Sequence, residues 1–326
     1  MSEFHIMHGL EDVPENLKGA VVVIGNFDGV HRGHQSIIAE AVKRARSRNV
    51  PALLLTFEPH PRDVFAPEPF MFRLTDGEAK AALARAMGMD GIVIMPFDRE
   101  LASMEPERFV SRFLVVALDA TSVVVGEDFH FGRARRGTPA FLREAGQKQG
   151  FDVIQCALLQ AHNDPVSSSR IRSALNTGQL DLANRLLGYH WIIRGKVIVG
   201  DQRGRELGFP TANFELCPNC LLAQGVYGVR VRLAERLFDG VASLGKPMFD
   251  IHQSPFEVHM FDFDEDIYGQ TIQVALISHI RGQMTFDGVD ELVTQMKKDS
   301  EQARATLSRA APLSELDRKL GFIIKG

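Results

Sequence analysis

A change of rhythm near residue 189 constrains this chain more than any other feature. Upstream, short apolar runs alternate with helical patterns, beginning AVVVIGNF, then QSIIAEAVKRARSRN, then PALLLTF. Downstream, WIIRGKVIVG, PTANFEL, GVYGVRVRL, DGVASLG, FEVHMFDF and TIQVALISHI follow one another without intervening helices. Strand and helix in alternation build a parallel sheet, because a parallel crossover needs a helix-sized connection; strands joined by turns build an antiparallel one. The pattern predicts two domains, 1–188 and 189–326. A chain of 326 residues has room for both at the usual ~100–200 residues each.

In the first half the continuous apolar runs at 21–24, 52–57, 91–95 and 122–125 read as strands buried on both faces of a doubly wound parallel sheet. Helical stretches are expected near 76–87 and 106–116. In the second half six turn-separated runs predict a small closed antiparallel barrel. The pattern at 289–307 supplies a covering helix, and LSELDRKLGFIIKG a short amphipathic one.

Composition narrows the class. The chain is 45% apolar and 24% charged, the balance of a soluble globular protein, and its net charge of -4 offers no basic face for nucleic acid. The opening MSEFHIMHGLEDVPEN lacks the apolar run of a signal peptide, and no later stretch reaches the roughly 20 apolar residues of a membrane span. A cytoplasmic protein with no membrane or polynucleotide partner, monomeric or weakly homo-oligomeric, is expected. Cys217 and Cys220 form a CPNC pair, read as ordinary loop thiols because neither a redox nor a zinc context surrounds them.

Parallel sheets bind ligands beyond the carboxyl ends of their strands. There the first strand ends in GNFDGVHRGHQ, which opens a helix and carries Gly25, Phe27, Asp28, His31, Gly33 and His34. Backbone N–H groups and the helix dipole favour phosphate at such a turn, and Gly33 permits close approach. Two histidines add donors. Transfer of AMP from ATP needs charge stabilisation on the α-phosphate and pyrophosphate more than a protein nucleophile, which suits paired donors. Asp28 also fits a plain turn-shaping role. Further on, VSSSRIRSAL places Ser167, Ser168, Ser169, Arg170 and Arg172 at another helix start, suited to the leaving pyrophosphate. Alone, each stretch also reads as a structural histidine or a helix cap. TFEPHP at 56–61 and GEDFHFG at 126–132 follow predicted strands and offer aromatic rings on which a flat heterocycle can stack.

In the second half GDQRGRELGFPTANFEL concentrates glycines, arginines and a PTAN tetrapeptide between two strands. Alternate residues of an extended segment point the same way, so Thr211 and Asn213 can address one Mg²⁺ that bridges nucleotide phosphates. Gly200, Gly204 and Gly208 allow close backbone approach, beside Arg205, Phe209 and Pro210. Glu257, in FEVHMFDF, is the carboxylate best placed by pattern to accept an alcohol proton, and it equally fits a solvent-facing strand position. Arg281 is a phosphate-binding candidate with the same surface alternative.

In this order the segments resemble the bacterial bifunctional riboflavin kinase/FMN adenylyltransferase family over nearly the whole chain. GNFDGVHRGHQ, TFEPHP, GEDFHFG and SSSRIR are similar to its adenylyltransferase signatures; LGFPTANF, FEVHMFDF and YGQ are similar to its kinase signatures. The resemblance implies a Rossmann-like nucleotidyltransferase sheet followed by a kinase barrel. It implies two reactions, riboflavin to FMN and FMN to FAD, with ATP as donor and Mg²⁺ as cofactor. It assigns His31, His34, Ser168, Arg170 and Arg172 to ATP phosphates. Phe57, Pro59, His60, Pro61, Asp128 and Phe131 then lie near flavin or adenine. Thr211 and Asn213 hold Mg²⁺-ATP, and Glu257 is the base for the ribityl hydroxyl, with Arg281 near the flavin.

Two stretches depart from the family pattern. SLGKPMF carries Ser243, Lys246 and Met248 where Asn, Arg and Thr are usual, and IRGQMTFDG carries Gln283 and Thr285 where acidic and basic residues are commoner. Two rival readings follow: an adenylyltransferase for another phosphorylated metabolite, and a flavin-binding regulator with an impaired kinase half.

Overall fold

The computed structural model describes residues 3–68, 70–157, 159–161, 164–200, 203–217, 219–245 and 256–323. Contacts divide the chain into two compact units, Met1–Ser168 and Ser169–Gly326.

In the first unit β1 (His5–His8), β2 (Val21–Ile24), β3 (Ala52–Glu58), β4 (Gly91–Pro96), β5 (Ser122–Gly126) and β6 (Asp152–Cys156) form one sheet in the order β1-β4-β3-β2-β5-β6. All its pairs are parallel. The apolar runs are strands because a sheet covered on both faces has no place for alternating polar residues. Val22, Leu53 and Val123 share one row, and with Ile24, Leu55 and Val125 they pack against Phe109, Phe113, Leu114 and Leu142. The neighbouring row of Val23, Leu54, Ile92 and Val124 is fully buried on the opposite face. The helices are α1 (Arg32–Arg48), α2 (Pro61–Val64), α3 (Gly77–Ala86), α4 (Arg99–Ser103), α5 (Pro106–Phe109) and α6 (Pro139–Gln149). The helix expected over 106–116 begins as α5 and continues with π-helical turns over Val110–Ala117. The pattern reading had not anticipated β1, β6 or the two-residue pair β7 (Gln160–Ala161) and β8 (Asp164–Pro165). β1 and β6 take the sheet edges, where half-exposed residues blur the apolar run.

This order fixes where a ligand can enter. From β2 the chain winds through β3 and β4 to one side, and through β5 and β6 to the other, so the connections diverge between β2 and β5. Diverging connections leave a crevice at the carboxyl ends of those strands. The turn after β2 sits there.

The second unit contains α7 (Ser168–Asn176), which starts at the division, and α8 (Leu180–Leu187), β9 (Ile192–Lys196), α9 (Arg203–Glu206), β10 (Ala212–Phe214), β11 (Gly225–Leu233), β12 (Arg236–Leu244), β13 (Phe256–Met260) and β14 (Thr271–Arg281). α10 (Val289–Leu307) and α11 (Glu315–Leu320) follow. The sheet is antiparallel, in the order β10-β13-β12-β11-β14-β9. An Ile198–Asn213 bridge, with Ile198 N–H donating to the Asn213 carbonyl at 2.8 Å, links its two edges. The bridge nearly closes the sheet, which leaves little ladder edge exposed. Phe214, Tyr227 and Phe256 are fully buried, and α10 and the C-terminal segment cover one side through Ala303, Leu307, Phe322 and Ile323.

The contact division falls before the change of rhythm because α8 is fastened to the barrel. Asn184 donates to the Leu276 carbonyl at 3.0 Å and accepts from Trp191 N–H at 2.9 Å. α11 docks through a buried pair, His190 Nδ1 to Asp317 at 2.8 Å, and Asp317 also accepts from the His190 and Leu313 N–H groups.

Candidate functional site

The turn between β2 and α1 is held in a shape that most residues avoid. Phe27 and Val30 have φ of 47° and 37° with Gly29 between them at 81°; positive φ on a β-branched residue is strained and persists only where surroundings impose it. The surroundings are visible. Asp28, 3% exposed, accepts from Leu74 N–H at 2.9 Å and Thr75 N–H at 3.1 Å, and Gly29 N–H donates to the Thr75 hydroxyl at 2.8 Å. Ser168, at the start of α7, donates to the Asp28 carbonyl at 2.9 Å. Asp28 therefore shapes the turn, as the alternative reading has it. A carboxylate facing phosphate would oppose binding.

His31 caps α1, its Nδ1 accepting from His34 N–H at 3.3 Å. The two imidazoles stack with centroids 3.7 Å apart and 15° from parallel, and buried Phe27 meets His34 edge-on at 5.2 Å. A Cβ on Gly33 would lie 3.1 Å from His31 Cε1, so any larger residue there would press on the His31 ring. His34 keeps part of its ring open, but its Nδ1 is shielded and has no hydrogen-bond partner among the described residues. Burial, then the neighbouring His31, then Lys80 hold the His34 pKa well below the ordinary histidine value. A stacked pair beside a lysine accommodates little further positive charge, so His34 is a neutral donor or acceptor at neutral pH. Two imidazoles, the start of a seventeen-residue helix and a close-approach glycine at the strand divergence form a cradle for phosphate.

The other predicted residues of this half have different roles. His60 caps α2, accepting from Arg62 N–H at 3.2 Å, with Pro61 as the first helical residue. Pro59 is exposed. Phe57 and Phe131 are 6% and 7% exposed and belong to the core; Phe131 stacks on Phe129 with centroids 5.5 Å apart, so these rings shape the wall more than they offer open faces. Gly25 is half-buried and its Cβ position lies 3.1 Å from the Phe27 ring. Asp128 is exposed. Ser167 is half-buried; Ser169, exposed, and Arg170 and Arg172, both half-buried, lie on α7 beyond the division between units.

Sequence reasoning missed the buried charges behind the turn. Lys80, 2% exposed, reaches Glu58 at 2.8 Å and the Thr56 hydroxyl at 3.4 Å; Arg73 takes the other Glu58 oxygen at 2.7 Å. One signal was legible: Lys80 stands on the stripe of Leu83 and Ala84, where α3 is otherwise apolar.

In the second unit the stretch from β9 to β10 folds back over PTAN. A Cβ on Gly200 would lie 2.0 Å from Asn213 Nδ2, and one on Gly204 would lie 2.4 Å from the Phe209 carbonyl oxygen. The close approach at these glycines is thus to the chain's own groups, while Gly208, at φ 82°, serves a tight turn. Thr211 is half-buried; Asn213 is 5% exposed, with its Oδ1 shielded and lacking a hydrogen-bond partner among the described residues. A buried carbonyl oxygen left without a donor is costly, and a hard cation satisfies it. Thr211 and Asn213 therefore suit the cation that the sequence implied.

Glu257 sits opposite Asn213 across β10–β13 and opposite Ser243 across β12–β13, and directly opposed residues share a face. It is exposed there, and His259 bonds the Pro210 carbonyl at 2.8 Å beside Phe209. Arg205 is exposed. Arg281 is engaged by Asp299 through contacts of 2.7–3.1 Å, so its charge is already compensated. Gln283 donates to the Leu244 carbonyl at 2.6 Å, which gives that departure a structural task. Thr285 is exposed; Lys246 and Met248 lie outside the described residues. The Cys217–Cys220 turn closes by a 3.0 Å backbone bond. The hydrogen bond to Cys217, then burial, raise the Cys220 pKa, which keeps it a thiol.

Comparison with known proteins bears on both halves. The family model described as FAD synthetase matches residues 13–170, and that described as riboflavin kinase matches residues 187–307. Curated proteins called bifunctional riboflavin kinase/FMN adenylyltransferase are similar end to end. That of Escherichia coli strain K12 is 37% identical over 308 residues, covering 94% of this chain and 98% of its own. That of Bacillus subtilis strain 168 is 34% identical over 311 residues, covering 93% and 97%. A Streptococcus pneumoniae crystal structure described as a macrolide-efflux protein superposes with a TM-score of 0.81 at 33% identity, covering 92% of this chain and 98% of that one. Among the described residues no helix of this chain is long and apolar enough to cross a membrane.

Proposed function

The chain belongs to the bifunctional riboflavin kinase/FMN adenylyltransferase family, and from that premise we propose where each activity is performed. It phosphorylates riboflavin to FMN and adenylylates FMN to FAD. The division of labour falls at 188/189, with adenylylation in 1–188 and phosphorylation in 189–326. The observation that carries this reading is one cradle in each unit: the stacked His31–His34 pair in the first, the orphaned Asn213 oxygen in the second.

In adenylylation the FMN phosphate oxygen attacks the α-phosphorus of ATP and pyrophosphate leaves. Charge moves onto phosphate oxygens, and no protein nucleophile is needed. His31 and His34 donate to those oxygens at the helix start, Gly33 lets them approach the backbone, and Ser168 helps to hold the leaving pyrophosphate. Phe57, His60, Pro61, Asp128 and Phe131 border the flavin or adenine.

In phosphorylation Thr211 and Asn213 would hold Mg²⁺, which would neutralise charge on the ATP phosphates. Glu257, on the Asn213 face, orients the terminal ribityl hydroxyl and accepts its proton as the oxygen attacks the γ-phosphorus and ADP leaves. A cytoplasmic, monomeric or weakly associating enzyme without a nucleic-acid partner accords with the composition.

Incubation with riboflavin, ATP and Mg²⁺ followed by chromatography tests the reading. FMN should appear first and FAD after it; FMN without FAD, from supplied FMN and ATP, would overturn the assignment of the histidine turn.

A further inference from the structure

We propose that Lys80 is a positioning residue of the adenylyl-transfer site, anchoring the nucleotide-holding turn through Thr56 and keeping a buried positive charge behind its two histidines. The inference rests on the reading of the first unit as an FMN adenylyltransferase.

The geometry is a short relay. The Thr56 hydroxyl has one proton, and it goes to the Asn26 carbonyl at 3.0 Å, so its lone pairs remain to accept from Lys80 Nζ at 3.4 Å. Asn26 immediately precedes Phe27, the first positive-φ residue of the turn. Lys80 is paired at 2.8 Å with Glu58, which it shares with Arg73 on the other oxygen. The same stretch of chain supplies Leu74 and Thr75 to Asp28 and Gly29. Residues 73–80 therefore clamp the turn at two points, Asn26 before its strained residues and Asp28–Gly29 among them.

A lysine buried to 2% is expensive, and a methionine of similar length would fill the space without a charge. A purely structural strap has no use for it. Its charge acts on His34, together with His31 on the same turn; Glu58 and Arg73 stand behind it, and Asp28 is turned to the Leu74 and Thr75 N–H groups. A protonated His34 would bury an Nδ1–H with no acceptor, and Lys80 opposes that state. The ring stays neutral and its open side remains available to phosphate.

The test combines imidazole NMR titration with initial rates. In the unsubstituted chain His34 should titrate well below the ordinary value of about 6.5. In Lys80→Met, and in Lys80→Met with Glu58→Gln, its midpoint should rise. The acid limb of FMN adenylylation should move the same way, and kcat/KM should fall roughly tenfold to hundredfold as the turn loses its anchor. Thr56→Val, which keeps the shape, should lower the rate and leave the His34 midpoint in place. Riboflavin phosphorylation by the same molecules should be unchanged. A His34 midpoint near 6.5 in the unsubstituted chain overturns the proposal without any variant. So does a folded Lys80→Met protein with an unmoved midpoint and a superimposable rate profile. Should the unsubstituted chain make no FAD, the functional reading fails, and the titration still decides what Lys80 does to His34.

Discussion

The side-chain amide of Asn213 occupies the space where Gly200 would carry a methyl group, 2.0 Å from that Cβ position. One glycine thus decides whether the PTAN asparagine can stand where it does. Gly200→Ala should displace Asn213 and lower riboflavin phosphorylation at least tenfold, because an atom moved by about 1 Å in a phosphoryl-transfer site costs that much or more. FAD formation from supplied FMN should be unaffected. Parallel rate measurements on the two substrates check this.

Asn213→Ala removes the orphaned oxygen itself. FMN formation should drop roughly a hundredfold and depend more steeply on Mg²⁺ concentration, while adenylylation of supplied FMN continues. Equal loss of both activities would mean that the two sites are not independent.

The converse substitution is His31→Ala with His34→Ala. Removing paired donors from a site of developing phosphate charge costs on the order of 10²–10³ in rate. Chromatography should show the reaction halting at FMN. Unfolding by urea should confirm that the kinase half is intact.

Acid should weaken the first unit through His34. Its folded pKa is depressed, so above the unfolded value of about 6.5 neither state carries the proton and His34 adds no pH dependence. As pH falls below that value, the unfolded chain binds a proton that the folded chain refuses. Stability then declines by up to about 1.4 kcal/mol per pH unit until the folded pKa is reached. His34→Gln should flatten this slope in urea titrations between pH 7.5 and 5.5.

Arg281 was read from the sequence as a flavin or phosphate contact, yet it is held by Asp299, which is 4% exposed and also accepts from Gln295. Asp299→Ala should leave a half-buried guanidinium without its partner and cost about 3–5 kcal/mol. A matching fall in the melting temperature, seen without flavin present, would identify the pair as structural.

Local pattern alone was enough to read the fold class of each half. Periodicity separates a sheet covered on both faces from a closed antiparallel one, and glycine, histidine and PTAN patterns mark strand ends, because these are local properties of consecutive residues. It was silent or ambiguous wherever meaning depended on a distant partner. Asp28 became a turn clamp only when Leu74 and Thr75 met it, and Arg281 gained its ion-pair partner only when Asp299 did. Lys80 entered the site only when β3 brought Thr56 and Glu58 beneath α3. Phe57 and Phe131, aromatic and well spaced for stacking, were drawn into the core instead. A side chain's charge and role are set by what surrounds it at a few ångströms, and those neighbours are chosen by strand order and packing, which no local pattern encodes.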